Sequence, residues 1–237
     1  MEPEEYMLMD AAENGMWWYR ALHTRLLSAL EPVQGRVLDV GCGTGGFLTV
    51  IRRNRPDLVA IGLEYSKAAA DCAAKKSGAS VLHGSANALP FSGASFDAVI
   101  SADVLCHAEV EPGTALIEMQ RVLRPGGLLV VNMPAFSWLY STHDKRVHNA
   151  RRVTAQELRI WLTNAGFTPL HAQYWNGLLF PLMVLQRKVL ATARTARSDV
   201  GHFPRWLNAA LYGVTVLEQN LKLPLPAGGS VLAVAAR

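Results

Sequence analysis

The chain has 237 residues, half of them hydrophobic, with 23 Lys and Arg against 19 Asp and Glu. That length and apolar content suit one large core, and favour a single α/β domain with an elaboration over two independent domains. Cys42, Cys72 and Cys106 form no C-x-x-C pair, which speaks against a disulfide framework or structural zinc and for a reducing compartment. The acidic start Met1-Glu2-Pro3-Glu4-Glu5 resembles neither a signal nor a transit peptide, so a cytoplasmic location is expected. The longest apolar run, 177–185, is far shorter than the roughly 20 residues of a membrane span. Charge is uneven: residues 1–120 carry 9 basic and 15 acidic side chains, the remainder 14 and 4. An acidic half suits a cationic ligand and a basic half an anionic partner, although two mutually attracting faces give the same pattern.

Leu22, Leu26, Leu27 and Leu30 recur at helical spacing and predict a helix from about Trp17 to Leu30, broken at Gln34-Gly35. Val37–Val40 reads as a first strand, followed by a helix over about 45–53. Leu58–Leu63 is a second strand ending at Glu64, then an Ala-rich helix follows over 66–76. Short strands are expected at 81–83 and 96–101. A helix over 114–123 should stop at Arg124-Pro125-Gly126-Gly127, before a fifth strand at 128–132. Thr154 with Glu157 forms a capping-box pattern for a helix over 154–165, closed by Gly166. Strands follow at 169–175 and 229–235. Between them, apolar helices over 178–197 and 204–221 read as an inserted lid, because some 50 residues are too many for a hairpin. Strands alternating with helices predict a doubly wound, mostly parallel sheet.

The segment Val37-Leu38-Asp39-Val40-Gly41-Cys42-Gly43-Thr44-Gly45-Gly46 carries the most chemistry. Glycines let backbone approach a ligand closely, and the helix start beyond them offers unpaired N–H groups. Gly41, Gly43 and Gly46 even satisfy the dinucleotide pattern G-x-G-x-x-G. Asp39 points elsewhere: a carboxylate beside the turn repels a pyrophosphate and attracts a cation such as the ammonium of S-adenosylmethionine. Glu64, about 20 residues on at the end of the second strand, suits ribose hydroxyls.

With Gly62-Leu63-Glu64-Tyr65-Ser66, Gly84-Ser85-Ala86-Asn87-Ala88-Leu89-Pro90-Phe91, Phe96–Ser101 and Arg121–Gly127 in order, residues 35–135 resemble a class I S-adenosylmethionine-dependent methyltransferase of the small-molecule branch. The resemblance implies a seven-stranded Rossmann-like sheet with a helical lid before the last strand. It places Asp39, Gly41, Cys42, Gly43 and Gly45 around the methionine moiety, and Glu64 and Tyr65 at the ribose. Ser85, Ala86 and Asn87 would edge the adenine, and Ala102 and Asp103 would border the sulfonium. Trp17-Trp18-Tyr19-Arg20 and the segment His143-Asp144-Lys145-Arg146-Val147-His148-Asn149-Ala150-Arg151-Arg152 resemble a bacterial subgroup of that family. Within one domain the parts are a helical cap (1–34), a cofactor core (35–135), an acceptor segment (136–177), the lid (178–223) and the last strand (224–237).

Methyl transfer needs alignment, and a base when the acceptor bears a proton. His143 or His148 is the expected base, with Asp144 to orient it; structuring of the loop is the competing role. Arg151 and Arg152 could fork an acceptor carboxylate or phosphate, or serve the loop. Trp17, His107, Tyr140 and Trp175 complete the expected acceptor surface. Cys42 reads as a small filler, and the His143–Asp144–His148 spacing fits no closed zinc pattern, so no metal is expected. The expected function is O- or N-methylation of a small, hydrophobic molecule, with an anionic group on it left open, as in secondary metabolism. Methylation of a peptide or RNA, or a silent partner protein of this fold, are the alternatives. No nucleic-acid partner is expected, peripheral contact with an anionic membrane stays open, and oligomeric state is not legible.

Overall fold

The computed structural model describes residues 2–187, 203–221 and 225–237. A seven-stranded sheet runs in the order β3-β2-β1-β4-β5-β7-β6. Its strands are β1 Arg36–Val40, β2 Val59–Glu64, β3 Ser80–His83, β4 Phe96–Ala102, β5 Leu123–Pro134, β6 Thr168–Trp175 and β7 Ser230–Ala236. The first five are mutually parallel, and β7 runs antiparallel between β5 and β6. Strands β1 and β4 read as continuous apolar runs because helices cover both their faces.

The helices are α1 Pro3–Ala12, α2 Trp17–Ala29, α3 Gly46–Asn54, α4 Lys67–Ser77, α5 Pro112–Val122, α6 Thr142–Arg146, α7 Ala155–Asn164, α8 Phe180–Leu185 and α9 Arg205–Leu221. On one face, Leu116 and Met119 of α5 and Leu158 and Leu162 of α7 pack with Val99, Leu129 and Val131. On the other, Leu22 and Leu26 of α2 and Phe47 and Ile51 of α3 pack with Val37, Ile100 and Val130. Helix α7 begins with the expected box, Thr154 and Glu157 each bonding the other's backbone N–H.

The structure departs from the sequence expectation in four places. Helix α1 was not anticipated: it is only weakly amphipathic, although Pro3 followed by Glu4 and Glu5 is a helix-start signal. Strand β5 begins at Leu123, and Arg124–Gly127 bulges out of it, because Phe96 pairs with Leu123 while Ala98 pairs with Leu128. Instead of one helix over 178–197, α8 covers Phe180–Leu185, and residues beyond 187 in that expected helix lie outside the described residues. The inserted segment before β7 is partly anchored. Arg25 Nη2 of α2 meets Glu218 Oε1 of α9 at 3.2 Å, and Trp17 N donates to Asn208 Oδ1 at 2.8 Å. Glu218 also accepts from the backbone N–H groups of Asn176, Gly177 and Leu178. Among the described residues no helix is long and apolar enough to cross a membrane.

Candidate active site

The carboxyl ends of β1, β2 and β4 line one edge of the sheet, where ligands of open α/β sheets bind. After β1 the chain turns through Gly41, whose φ of 73° is the left-handed region that glycine tolerates. The N–H groups of Gly41 and Cys42 both donate to Leu63 O, at 2.7 and 3.0 Å, tying the turn to β2. Gly45 is the N-cap of α3. Gly43, at a φ of 56°, also holds the left-handed conformation that glycine tolerates, with the end of the Met9 side chain of α1 packed against it.

Two carboxylates face this turn from the sheet. Asp39 is buried, and no hydrogen bond from the described residues reaches it. Burial, with Glu64 and Glu13 nearby, pushes its pKa up to about 7. Glu64 accepts from Gly43 N at 2.9 Å through one oxygen, and from Ser66 N at 3.0 Å and Tyr6 Oη at 2.9 Å through the other. Burial and the Glu64 charge raise the Tyr6 phenol well above its ordinary value.

Helix α1 adds a third carboxylate that sequence reasoning missed. Glu13, just past its end, accepts from Thr44 Oγ1 at 2.8 Å and from Gly46 N at 3.1 Å, and pairs with Lys76. It therefore caps the N-terminus of α3 from outside, where the helix dipole favours negative charge. The same helix reaches the acceptor segment: Glu5 pairs with Arg146 at 3.6 Å, and Glu2 N donates to Arg146 O. The only sequence sign of this clasp is the acidic character of the first 13 residues.

The expected adenine edge needs correction. Asn87 is engaged at both ends of its amide, donating to Glu109 O at 2.9 Å and accepting from Glu111 N at 2.9 Å. It fastens the 109–111 loop rather than offering a free amide. Ser85 Oγ accepts from Asn87 N, Ala86 is buried and Tyr65 stands exposed beside Glu64. Cys42 is buried against Gly62, with its thiol pushed well above the ordinary range by burial, which suits a filler. Ala102 and Asp103 follow β4 at the edge.

The acceptor segment is corrected more deeply. Asp144 orients neither histidine: fully buried, it takes a two-pronged bond from Arg152, with Nε and Nη2 at 3.0 Å, and also bonds Ser141 and Asn149. Burial alone would raise its pKa, but Arg152 overrides that and lowers it. Arg152 also donates to Ala135 O, so it is not available to an acceptor anion. Nor is the Arg151 Nη1 group, which donates to the carbonyls of Leu105, His107 and Val110. These arginines organise loops because five donors on one guanidinium satisfy several carbonyls at once.

His107 is likewise a brace. Burial lowers its imidazole to a pKa of about 4, and it bonds the backbone of Val147 and His148. Tyr140 Oη donates to Asn149 O. Trp175 belongs to the core, not the acceptor surface: it is 2% exposed, stacks on Trp18 and donates Nε1 to Asn132 Oδ1 at 2.8 Å. Two sites keep unmet potential. His143 Nδ1 and Trp17 Nε1 are buried without a hydrogen-bond partner among the described residues. His148 is exposed, at a φ of 57°. A separate cleft of about 390 Å³, lined by Pro112, Leu116, Arg151 and Trp161, contains none of the strand-end carboxylates.

The residues at the turn fit S-adenosylmethionine. An unpartnered buried carboxylate at Asp39 suits an ammonium, Glu64 at the end of β2 suits ribose hydroxyls, and a glycine turn leaves room for backbone approach. The sheet order with its antiparallel β7, and this edge, define a class I methyltransferase-type α/β domain. Residues 38–131 match the family described as a methyltransferase domain. The demethylmenaquinone methyltransferase of Deinococcus radiodurans is 38% identical over 120 residues, 48% of either chain. The chain thus spans about half the length of that curated relative. Among solved structures, the [4+2]-cyclase SpnF superposes with a TM-score of 0.64 at 20% identity, covering 99% of this chain and 94% of that one. A geranyl diphosphate methyltransferase in complex with S-adenosylmethionine gives 0.63 at 18% identity, covering 92% and 84%. At such identities the likeness concerns the fold, and folds of this kind host more than one reaction.

Proposed function

We propose that the chain transfers a methyl group from S-adenosylmethionine to a small, largely apolar molecule held beyond the ends of β4 and β5. The observation that carries this is the unpartnered, buried Asp39 beside the glycine turn, with Glu64 on the next strand. When bound, the cofactor supplies an electrophilic methyl on a sulfonium. Asp39 would hold the ammonium, Glu64 the ribose hydroxyls and the Gly41–Gly45 backbone the methionine moiety. Helix α1, through Tyr6, Met9 and Glu13, covers the turn and helps keep water from it. Residues 136–152, anchored by Asp144 and Arg152, wall the acceptor side with Tyr140 and His143.

Much of the rate in such a displacement comes from alignment and exclusion of water. Asp144 is taken up by Arg152 and reaches neither His143 nor His148, so the role given to these histidines is to shape the acceptor wall. The aromatic neighbours Phe136, Trp138, Tyr174 and Phe180 favour an acceptor with a large apolar part, and the relative in Deinococcus radiodurans is named for demethylmenaquinone. Incubation with methyl-tritiated S-adenosylmethionine and pooled small metabolites should label a small organic-extractable product. Label in RNA or protein alone, or none with any pool, contradicts the proposal.

A further inference from the structure

Three carboxylates stand on adjacent strand ends: Glu64 closing β2, Asp39 in β1 and Asp103 just beyond β4. Neighbouring strands lie about 4.8 Å apart, so this row runs from the ribose end toward the acceptor side. The ammonium and the ribose take the first two; Asp103, which the family resemblance sets beside the sulfonium, has no cofactor polar group assigned to it, and its surroundings are built. Its φ is 55°, a left-handed conformation in which a non-glycine residue is strained, and such strain concentrates at functional positions. Its N–H donates to Asn132 O at 2.9 Å, and its Oδ1 accepts from Asn132 Nδ2 at 2.9 Å.

The orientation of Asn132 follows from chemistry. Trp175 Nε1–H can only donate, and it meets Asn132 Oδ1 at 2.8 Å, so the amide nitrogen must face Asp103. Trp175, Asn132 and Asp103 thus form a fixed chain of donors that ends on one carboxylate oxygen. The second oxygen has no partner among the described residues. The charged and titratable groups around Asp103 are Arg152 and Asp144 of the acceptor segment, Tyr19 of α2 and Cys106 beyond β4. Arg152 is held by Asp144 and makes no hydrogen bond to Asp103, whose charge it offsets only in part. Burial raises the Asp103 pKa to about 7. Arg152 and the Nη1 group of Arg151 are committed to loop carbonyls and Asp144 rather than to an anionic acceptor.

We propose that Asp103 receives a cationic amine and takes its proton, which makes the acceptor an amine rather than an alcohol, phenol or carboxylate. This rests on the methyl-donor reading above. In the step, an ammonium N–H bond breaks and its proton passes to the Asp103 carboxylate. The freed nitrogen lone pair forms the N–C bond to the methyl carbon while the C–S bond breaks, its electron pair going to sulfur. A neutral thioether and an N-methylammonium result, and Asp103 then returns its proton to solvent. A carboxylate whose charge is only partly offset attracts the ammonium, whereas it would repel a phenolate or carboxylate acceptor.

The test uses the protein loaded with S-adenosylhomocysteine, titrated calorimetrically with 2-phenylethylamine and with its isostere 2-phenylethanol. The expected result is at least about 10-fold tighter binding of the amine, by analogy with other charge-assisted contacts. Asp103→Asn should weaken amine binding by about 10-fold and leave S-adenosylhomocysteine affinity within about twofold, since asparagine tolerates the left-handed backbone. With methyl-tritiated donor, kcat for the amine should fall in the variant more than KM rises. Equal binding of the pair, binding of neither, or an Asp103→Asn protein indistinguishable from wild type overturns the assignment while the donor reading stands. Loss of S-adenosylhomocysteine binding in Asp103→Asn with an unchanged melting transition also overturns it, placing the residue on the cofactor. Failure of the wild-type protein to bind S-adenosylhomocysteine would instead strike the donor reading.

Discussion

Residues 36–134 and residues 135–237 are held together by different kinds of interaction. In the first region β1, β2 and β4 each hand on to a helix that packs against its own neighbours, and the candidate cofactor groups sit at turns between adjacent elements. Asp39, Gly41 and Gly45 fall within seven residues, and Glu64 bonds Gly43 across one crossover. In the second region the decisive bonds join distant segments: Arg151 to the 105–110 loop, Trp175 to Asn132, Glu218 to Arg25 and to the 176–178 turn. A binding motif whose parts are close along the chain is visible as a pattern. A site walled by long-range polar pairs is not.

The largest expected effect comes from breaking such a pair. Arg152→Met strips buried Asp144 of its two-pronged partner and leaves it only the longer 3.8 Å contact with Arg187, which should cost about 3 kcal/mol of folding stability by urea denaturation. Adding Asp144→Leu should restore much of that loss, because the penalty lies in the unpaired charge. A loss below about 1 kcal/mol in Arg152→Met would mean that the pair does not anchor the acceptor segment.

The cofactor region should reveal itself through pH. Asp39 and Asp103 both have folded pKa values near 7, well above the ordinary carboxylate value. Between about pH 4 and 7 these two carboxyls bind protons in the folded state that the unfolded chain has released, so their contribution to unfolding free energy falls as pH rises through that window. His23 and His107, whose pKa values burial lowers to about 4, contribute the opposite slope from about pH 4 to 6.5, so the variant isolates the carboxyl: Asp39→Asn should raise the melting temperature relative to wild type more at pH 8 than at pH 5.5. Asp144, with its pKa lowered, works the other way, its contribution disappearing only under more acidic conditions. A wild-type-to-variant difference that is the same at pH 5.5 and pH 8 would contradict the placement of that charge.

Smaller effects separate the clasp from the core. In the ligand-free protein the Tyr6 hydroxyl occupies an oxygen of Glu64 that the ribose would use. Tyr6→Phe should thus tighten S-adenosylhomocysteine binding by about fivefold, the worth of roughly one hydrogen bond near 1 kcal/mol. Weaker binding would show that the phenol supports the cofactor instead of competing with it. Thr154→Ala, which removes one half of the α7 capping box, should cost about 0.5–1 kcal/mol and leave ligand binding unchanged.

The sheet was legible because β1, β2 and β4 are apolar runs separated by helix signals, and the cofactor turn was legible because Asp39 and Glu64 flank it at set distances. Helix α1 was missed because its apolar residues follow no clear stripe and its function lies in Tyr6 and Glu13, which act across 58 and 31 residues. Asp144 was taken for the partner of a histidine because His143 is next to it in the chain. In a helix adjacent residues do not face one another, and the true partner, Arg152, comes after the helix has ended. Asn87 was read as an adenine contact from its place after Gly84-Ser85-Ala86, but both ends of its amide close a local loop. Trp175 was assigned to the acceptor surface because it precedes the apolar insertion, whereas strand alternation turns it into the core.

The central claim is that Asp39 makes the glycine turn a site for a cationic cofactor, and isothermal titration with S-adenosylhomocysteine tests it most directly. Saturable binding at one site is expected, weakening as pH falls below about 7 and losing about 10- to 100-fold in Asp39→Asn, as for a hydrogen bond to a charged group. Absence of saturable binding, or binding that is unchanged by Asp39→Asn and flat across that pH range, would contradict the claim.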